Sequence, residues 1–284
     1  MAKSGTQLQW PEIAGVISDL DGVVYRGNAA IADAIEAFKN WQGAEVPFCF
    51  VTNNSTHTSE DVVRKLEGFG LSISPRQVVT SAITAAELIR AQYPKLTRAF
   101  VIGAPSLVKA IAEAGLEVTD AKPEVVVMGL DRQITHEKLR IAVAAILGGA
   151  VFIGTNPDLL LPTADGFEPG AGAMITAVAA ATQVQPLIVG KPETHMIEAA
   201  LSRLGTPRQS TLMIGDQIQT DIQAGKRAGL PAVLVTTGVP LRKDAALLPA
   251  DFTVSSLSEI AVRLVKTPCG RGERDGQCST GRPQ

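Results

Sequence analysis

Two aspartates, Asp19 and Asp21, follow the apolar run that begins at Val16. If that run is a strand, its side chains alternate between the two faces, so both carboxylates lie on one face near the carboxyl end. Two like charges at this spacing repel each other, and Mg²⁺, which prefers hard oxygen ligands, would stabilise them. Gly22 then provides a backbone that can turn. An isolated pair of this kind is more often a solvated turn, so other parts of the chain must decide between the two interpretations.

Polar residues follow three further apolar runs. They are Thr52 and Asn53 after residues 46–51, Lys191 after residues 186–189, and Asp216 and Asp221 after residues 211–214. In a parallel sheet all carboxyl ends of strands lie on one edge, where open α/β sheets bind their ligands. Acidic, basic and hydroxyl groups that meet at one edge predict a site for a phosphate and Mg²⁺.

The residue types suggest a division of roles in phosphoryl transfer. Asp19 is the predicted nucleophile, which would form an aspartyl-phosphate, and Asp21 the predicted general acid and base. The Asp19 side chain, the Asp21 carbonyl and Asp216 are predicted metal ligands. Lys191 and the Thr52 hydroxyl would hold the phosphate. Two residues keep alternatives.

Asp221 is predicted either to hold the metal through water, to orient Lys191, or to stabilise a helix N-terminus. Asn53 would contact the phosphate or only shape the turn. In a later loop, Asn156 and Asp158 are candidates for contact with substrate, but an ordinary Asn-Pro turn explains Gly154–Asp158 nearly as well.

Alternation of apolar strands and amphipathic helices predicts a doubly wound parallel sheet of the α/β class. The predicted helices include residues 29–41, 82–92, 106–114, 136–147, 173–181, 193–204 and 257–265, and a helix with a Thr58/Asp61 cap that ends near Gly70. Residues 154–172 are predicted to form a loop, because they are rich in Pro, Gly and Asp. An extra α/β unit is predicted between about residues 82 and 185.

Bulk properties limit the class of protein. The 284 residues suggest about two domains, and the net charge of −2 argues against a nucleic-acid coat or a polybasic membrane binder. No apolar run reaches the roughly 20 residues of a membrane span. The first ten residues lack a secretory signal, and three cysteines form no disulfide framework, so a cytoplasmic protein is expected. The tail from residue 267 to 284 is predicted to be disordered.

The ordered motifs Asp19-x-Asp21, Thr52, Lys191 and Gly215-Asp216-x-x-x-x-Asp221 resemble those of the haloacid dehalogenase superfamily. Within it, the segments 19–27, 52–54 and 190–192 are similar to the NagD or p-nitrophenyl phosphatase branch. The resemblance implies Mg²⁺-dependent hydrolysis of small phosphomonoesters. It also implies a Rossmann-like core (residues 1–81 and 186–266), a type IIA α/β cap (residues 82–185), and pairing of two copies through the cap.

Other functions compete with this interpretation. A dehalogenase shares the fold, but that branch lacks a counterpart of Asp21. A non-catalytic phosphate-binding or regulatory protein could use Asp19 as a phospho-acceptor. A dinucleotide-dependent enzyme is disfavoured, because the first strand ends in carboxylates where a pyrophosphate needs glycine amides. The motifs do not identify the substrate.

Overall fold

The computed structural model describes Trp10 and residues 12–163, 166–238, 247–260 and 263–264. The elements up to residue 128 are β1 (Glu12–Ile13), β2 (Gly15–Ser18), β3 (Tyr25–Arg26), β4 (Ala29–Ala30), α1 (Ala32–Gly43), β5 (Phe48–Thr52), α2 (Ser59–Gly68), β6 (Val78–Thr80), α3 (Ser81–Gln92), β7 (Arg98–Ile102), α4 (Pro105–Glu113), β8 (Glu117–Val118) and β9 (Val125–Met128). The later ones are α5 (His136–Leu147), β10 (Val151–Gly154), β11 (Leu160–Thr163), β12 (Gly166–Pro169), α6 (Ala171–Thr182), β13 (Leu187–Ile188), α7 (His195–Leu204), β14 (Thr211–Gly215), α8 (Gln223–Arg227), β15 (Ala232–Val235), β16 (Phe252–Val254) and β17 (Arg263–Leu264).

A six-stranded parallel sheet carries the first and last parts of the chain, in the order β16-β15-β14-β2-β5-β6. Its strands are almost wholly apolar because both faces are covered. Alternate residues enter different cores: Val16 and Phe50 pack on one side of the sheet, Ile17 and Val51 on the other. The predicted α/β class with a mostly parallel sheet is confirmed.

A separate five-stranded parallel sheet, ordered β13-β10-β9-β7-β8, forms from the middle of the chain. We call this sheet and its helices the cap. Leu187 and Ile188, which we placed on the core side of a boundary at residue 186, pair with Ile153 and Gly154 of the cap sheet. The chain therefore returns to the core slightly later than expected. The division into core and cap as two domains stays a prediction.

Two short hairpins lie where the sequence predicted other elements. Ala29 and Ala30 pair with Tyr25 and Arg26 in a hairpin, so the first helix begins only at Ala32. The predicted loop 154–172 contains the antiparallel hairpin β11–β12, whose two short strands are rich in the residue types that are typical of turns. Both hairpins are too short for alternation of apolar residues to reveal them.

The predicted helix 257–265 is wrong. Its capping residues, Ser256 and Glu259, start only one 3₁₀ turn, and β17 then pairs in parallel with β1. By contrast, Thr58 and Asp61 form the predicted capping box of α2. The tail 267–284, for which we predicted disorder, lies outside the described residues. Among the described helices, none is long and apolar enough to cross a membrane.

Candidate active site

The polar strand ends meet at the carboxyl edge of the six-stranded sheet. Asp19 follows β2, Thr52 is the last residue of β5, and Asp216 follows β14. Lys191 reaches the same edge from the cap, three residues after β13. Asp19, Thr52, Lys191 and Asp216 are all buried, so their polar groups interact away from bulk water.

Lys191 is the only cation in the buried part of this edge among the described residues. Its ammonium contacts the Asp19 carboxylate, lies 2.7 Å from Asp221 Oδ1, and donates to the Val51 carbonyl at 3.3 Å. Burial disfavours the charged form of Lys191, but the charges of Asp19 and Asp221 outweigh burial and raise its pKa. Lys191 is therefore positively charged throughout the physiological range.

Three carboxylates, those of Asp19, Asp216 and Asp221, each offer an oxygen within 4.8 Å of the others. One ammonium, that of Lys191, faces them, so the ionised cluster carries an excess of negative charge. Burial raises the pKa of Asp19 well above its usual value, and the charges of Asp221 and Asp216 add to this against the lowering effect of Lys191. Hard oxygen donors with surplus negative charge fit a divalent cation such as Mg²⁺.

Glycines allow this cluster to pack closely. A Cβ on Gly22, which has φ = +82°, would lie 2.4 Å from Asp216 Oδ2. A Cβ on Gly238 would lie 1.8 Å from the same atom, and one on Gly215 would lie 2.1 Å from Asp221 Cβ. Any other residue at these positions would displace a carboxylate.

Asp221 lies in a single π-helical turn, Ile218–Ile222, rather than in the first turn of a regular helix. Its Oδ2 accepts a hydrogen bond from the Gln217 N–H at 3.0 Å, and its Oδ1 faces Lys191. The sequence left three roles open for Asp221. The geometry fits the role of orienting Lys191. Asp221 also lies close enough to Asp19 and Asp216 to take part in holding a metal. The role itself stays a prediction.

Asp21 is separated from the three clustered carboxylates and is exposed. Its carboxylate accepts a hydrogen bond from the buried Tyr25 hydroxyl, and the Lys65 ammonium lies 3.5 Å from the centroid of the Tyr25 ring. Desolvation by the surrounding protein raises the pKa of Asp21, against the lowering effects of Lys65 and Lys191. The carboxyl group is thus more easily protonated than a free one.

Sequence reasoning missed the roles of Tyr25 and Lys65 near Asp21: Lys65 lies over the Tyr25 ring, and its charge lowers the pKa of Asp21. A signal was present, because Lys65 falls between Val62 and Phe69 on the apolar stripe of its helix, where a charged residue is unusual. A lysine on such a stripe either extends to solvent or finds a partner inside. Here it lies over an aromatic ring beside a carboxylate.

Thr52 and Asn53 lie next to Lys191, as their positions at a strand end imply. The Thr52 hydroxyl accepts a hydrogen bond from the Asn54 N–H at 3.2 Å, and it keeps a proton that can be donated to a phosphate oxygen. Asn53 Oδ1 accepts from the Lys191 N–H at 2.8 Å, and Asn53 Nδ2 donates to the Lys191 carbonyl at 3.0 Å. Contact of either residue with phosphate stays a prediction.

The cap residues Asn156 and Asp158 reach the same loop of the core. Asn156 Nδ2 donates to the Asn53 carbonyl at 3.0 Å, and Asn53 Nδ2 donates to Asp158 Oδ2 at 3.1 Å. The Asn156 side chain also accepts from the Asp158 N–H at 3.2 Å, which is the local turn that we gave as the alternative. Both residues are therefore positioned at the site, through Asn53.

Comparison with known proteins agrees with this geometry. Two family profiles match: "Haloacid dehalogenase-like hydrolase" over residues 16–117 and "HAD-hyrolase-like" over residues 188–260. These ranges cover most of the core sheet and leave most of the cap unmatched. The matched ranges contain Asp19, Asp21, Thr52, Lys191 and Asp216.

Full-length relatives extend the similarity across the cap. The 5'-nucleotidase YutF of Bacillus subtilis (strain 168) is 41% identical over 229 residues, which are 81% of this chain and 89% of that protein. The crystal structure of a double mutant of a thermostable NPPase from Geobacillus stearothermophilus has 39% identity and a TM-score of 0.83, over 88% of this chain and 98% of that one. NagD from E. coli K-12 has 30% identity and a TM-score of 0.82, over 89% and 100% of the two chains. Sequence, fold and strand-end residues together show that this chain is a phosphatase-type enzyme of the haloacid dehalogenase-like hydrolases, in the branch of NagD and the p-nitrophenyl phosphatases.

Proposed function

We propose that the protein is a Mg²⁺-dependent phosphatase that hydrolyses small phosphomonoesters through an aspartyl-phosphate on Asp19. The observation that carries the proposal is the cluster in which Lys191 faces Asp19 and Asp221 while Asp216 lies beside them. A cation and several carboxylates at the carboxyl edge of a parallel sheet are suited to holding a dianionic phosphoryl group with a metal. A regulatory binding protein would not need all four groups.

Asp19 attacks the phosphorus atom in the first step. A bond forms between its carboxylate oxygen and phosphorus while the ester oxygen leaves, so the phosphoryl group is transferred to Asp19. Lys191 and the Thr52 hydroxyl hold the phosphoryl oxygens during transfer. Asp19, Asp216, Asp221 and the carbonyl of Asp21 would hold Mg²⁺, which when bound neutralises charge on the carboxylates and on the phosphoryl group.

Asp21 supplies and then removes a proton. In its protonated form it donates the proton to the leaving alcohol oxygen, and the raised pKa favours that form. The resulting carboxylate then takes a proton from water, whose oxygen attacks the phosphorus of the aspartyl-phosphate. The products are inorganic phosphate and free Asp19. The Tyr25 hydroxyl orients Asp21 through both steps.

The substrate is proposed only by class. One relative is named a 5'-nucleotidase, and another is an NPPase. Hydrolysis of a panel of phosphorylated sugars, phosphoglycolate, glycerol phosphate, pyridoxal phosphate and nucleotides would distinguish candidates. A cytoplasmic location stays a prediction. Pairing of two copies through the cap stays a prediction.

The decisive experiment is phosphate release from p-nitrophenyl phosphate in the presence of Mg²⁺. Asp19→Asn should abolish turnover, and removal of divalent ions with EDTA should abolish it reversibly. Asp21→Asn should slow hydrolysis of the aspartyl-phosphate, so that a phosphorylated protein accumulates and is detected by mass spectrometry. Asp120→Asn, at an exposed position of the cap, is the matched control.

Two outcomes would overturn the proposal. Wild-type turnover in the Asp19→Asn variant would exclude Asp19 as nucleophile. Full activity after exhaustive removal of divalent ions would exclude the metal. If Asp120→Asn lost activity as completely as Asp19→Asn, the loss could not be assigned to the nucleophile.

A further inference from the structure

Asn53 binds the main chain of Lys191 at both of its polar groups. Its Oδ1 accepts from the Lys191 N–H at 2.8 Å, and its Nδ2 donates to the Lys191 carbonyl at 3.0 Å. The two bonds fix the orientation of the amide, because a rotated amide would place donor against donor. They also fix the backbone from which the Lys191 side chain extends to Asp19 and Asp221.

The same amide is bound from the cap. Asn53 Nδ2 donates to Asp158 Oδ2 at 3.1 Å, while Asn156 Nδ2 donates to the Asn53 carbonyl at 3.0 Å. Asp158 lies in the loop after the cap strand β10 and is 105 residues from Asn53 in sequence. One cap loop therefore holds both the side chain and the main chain of the residue that positions Lys191.

The junction is too closely packed to be a loose surface contact. A Cβ on Gly190 would lie 2.4 Å from the Thr155 carbonyl oxygen and 2.6 Å from Asn53 Oδ1. The core loop, the cap loop and the segment before Lys191 thus meet without room for a further carbon atom. A shift of the cap loop would be transmitted to Asn53 or to Gly190.

The chemistry of Asp158 is unusual for a purely structural contact. Burial raises the pKa of this carboxyl group, although the Asn53 hydrogen bond and the Lys191 charge lower it. An asparagine would accept the same hydrogen bond without the cost of a partly buried charge. The carboxylate is the stronger acceptor, and a charge-assisted bond holds the Asn53 amide more firmly.

We propose that Asp158 is a positioning residue, which acts through the Asn53 amide to fix Lys191 and so couples the placement of the cap to phosphate binding in the core. The inference rests on the proposed function, because Lys191 is taken as the phosphate ligand. It differs from the expectation in which Asp158 touches substrate. If Asp158 touched the substrate, the effect of replacing it would depend on the leaving group of the ester. If Asp158 positions Lys191, its replacement should weaken the binding of every phosphate, including inorganic phosphate.

The test measures inorganic phosphate binding by calorimetric titration in the presence of Mg²⁺, together with kcat and KM for p-nitrophenyl phosphate. We expect Asp158→Ala to weaken phosphate binding by about tenfold, as expected for loss of one hydrogen bond to a charged group. Asp158→Asn, which can still accept from Asn53, should stay within about threefold of wild type. Glu168→Gln, in the exposed hairpin of the same cap region, is the control and should not change binding.

A double-mutant cycle with Asn53→Ala tests whether Asp158 acts through Asn53. Asn53→Ala should weaken phosphate binding at least as much as Asp158→Ala, and the double variant should be no weaker than Asn53→Ala alone. Thermal unfolding of each variant shows whether it is folded, and Asp158→Ser replaces the alanine variant if the latter does not fold.

The inference is overturned if Asp158→Ala binds phosphate as tightly as Glu168→Gln, or if the effects of the two single variants multiply in the double variant. It is also overturned if Asp158→Ala changes only the ranking of ester substrates and leaves inorganic phosphate binding unchanged. A wild-type chain that binds phosphate but hydrolyses no ester would contradict the proposed function alone. A wild-type chain that does neither would contradict both.

Discussion

Replacing Lys191 with methionine removes the positive charge of the buried cluster and keeps a side chain of similar length. The Lys191 side chain is 3% exposed, and its partners Asp19 and Asp221 are 11% and 2% exposed. Loss of one partner from a buried ion pair typically costs about 3–5 kcal/mol, because the remaining charge stays buried without compensation. We therefore expect Lys191→Met to lower the free energy of unfolding by about 3–5 kcal/mol in metal-free buffer at pH 7.

Thermal unfolding followed by circular dichroism measures this loss. For chains of about 150–250 residues, 1 kcal/mol corresponds to about 2–4 °C in Tm, so a decrease of about 6–20 °C is expected in EDTA. Addition of Mg²⁺ should stabilise Lys191→Met more than the wild type, because a bound cation replaces part of the missing charge. Lowering the pH should narrow the difference between the two proteins, because protonation of Asp19 removes one of the uncompensated charges.

Lys109→Met is the matched control. Lys109 forms an exposed i,i+4 pair with Glu113 at 3.6 Å, with side chains 53% and 66% exposed. Exposed pairs of this kind contribute about 1 kcal/mol or less, so Tm should change by at most a few degrees. If Lys191→Met melted at the same temperature as Lys109→Met in EDTA, the buried cluster would not be compensated by Lys191, and our electrostatic account would be wrong.

Three further predictions concern the surroundings of the site and the stability of the core. Gly22→Ala should weaken Mg²⁺ binding by about tenfold or more, since the new Cβ would displace Asp216; unchanged affinity in a Mg²⁺ titration would contradict this. Asp251 accepts from the Ala232 N–H at 2.8 Å, and although burial raises its pKa, hydrogen bonds lower it overall. Because the pKa of Asp251 is lower in the folded protein, its charge should stabilise the fold fully at pH values above its ordinary pKa of 3.8. The stabilisation should be lost as the pH falls through the folded pKa. Urea unfolding should therefore show that Asp251→Asn has a lower free energy of unfolding than wild type at pH 7, and that this difference disappears in acid. A difference that did not change with pH would show that the charge of Asp251 does not stabilise the fold. Thr58→Ala removes the cap of α2 and should cost about 1 kcal/mol in the same assay, whereas an unchanged urea midpoint would show that the cap is dispensable.

The sequence predicted the class of fold because parallel strands leave a strong pattern. Continuous apolar runs such as residues 46–51 and 211–214 are typical of parallel strands covered on both faces, and amphipathic helices alternate with them. Once the strands are parallel, their carboxyl ends share one edge. The proximity of Asp19, Lys191 and Asp216 follows from that rule, although 197 residues separate the first from the last.

Very short strands and contacts between distant residues could not be predicted from the sequence, for a physical reason. Strands of two residues, such as β4 and β17, carry no periodicity of their own, and β17 forms only by pairing with β1 at the other end of the described chain. The assignment of Leu187–Ile188 to the cap sheet depends on which neighbour the strand finds. The Asn53 hydrogen bonds likewise join residues far apart in sequence, and an Asn-Asn turn gives no indication of them.

The parallel pairing of β1 with β17 sets practical limits for a shortened version of the protein. Glu12 is in register with Arg263, and Ile13 with Leu264. A truncation before Arg263 would leave the main-chain groups of β1 without their partners in β17. A deletion through Ile13 would leave those of β17 without their partners in β1. Because β1 and β17 are neighbours, an affinity tag should be attached outside these two strands, and a circular permutant could join β17 to β1 with a linker.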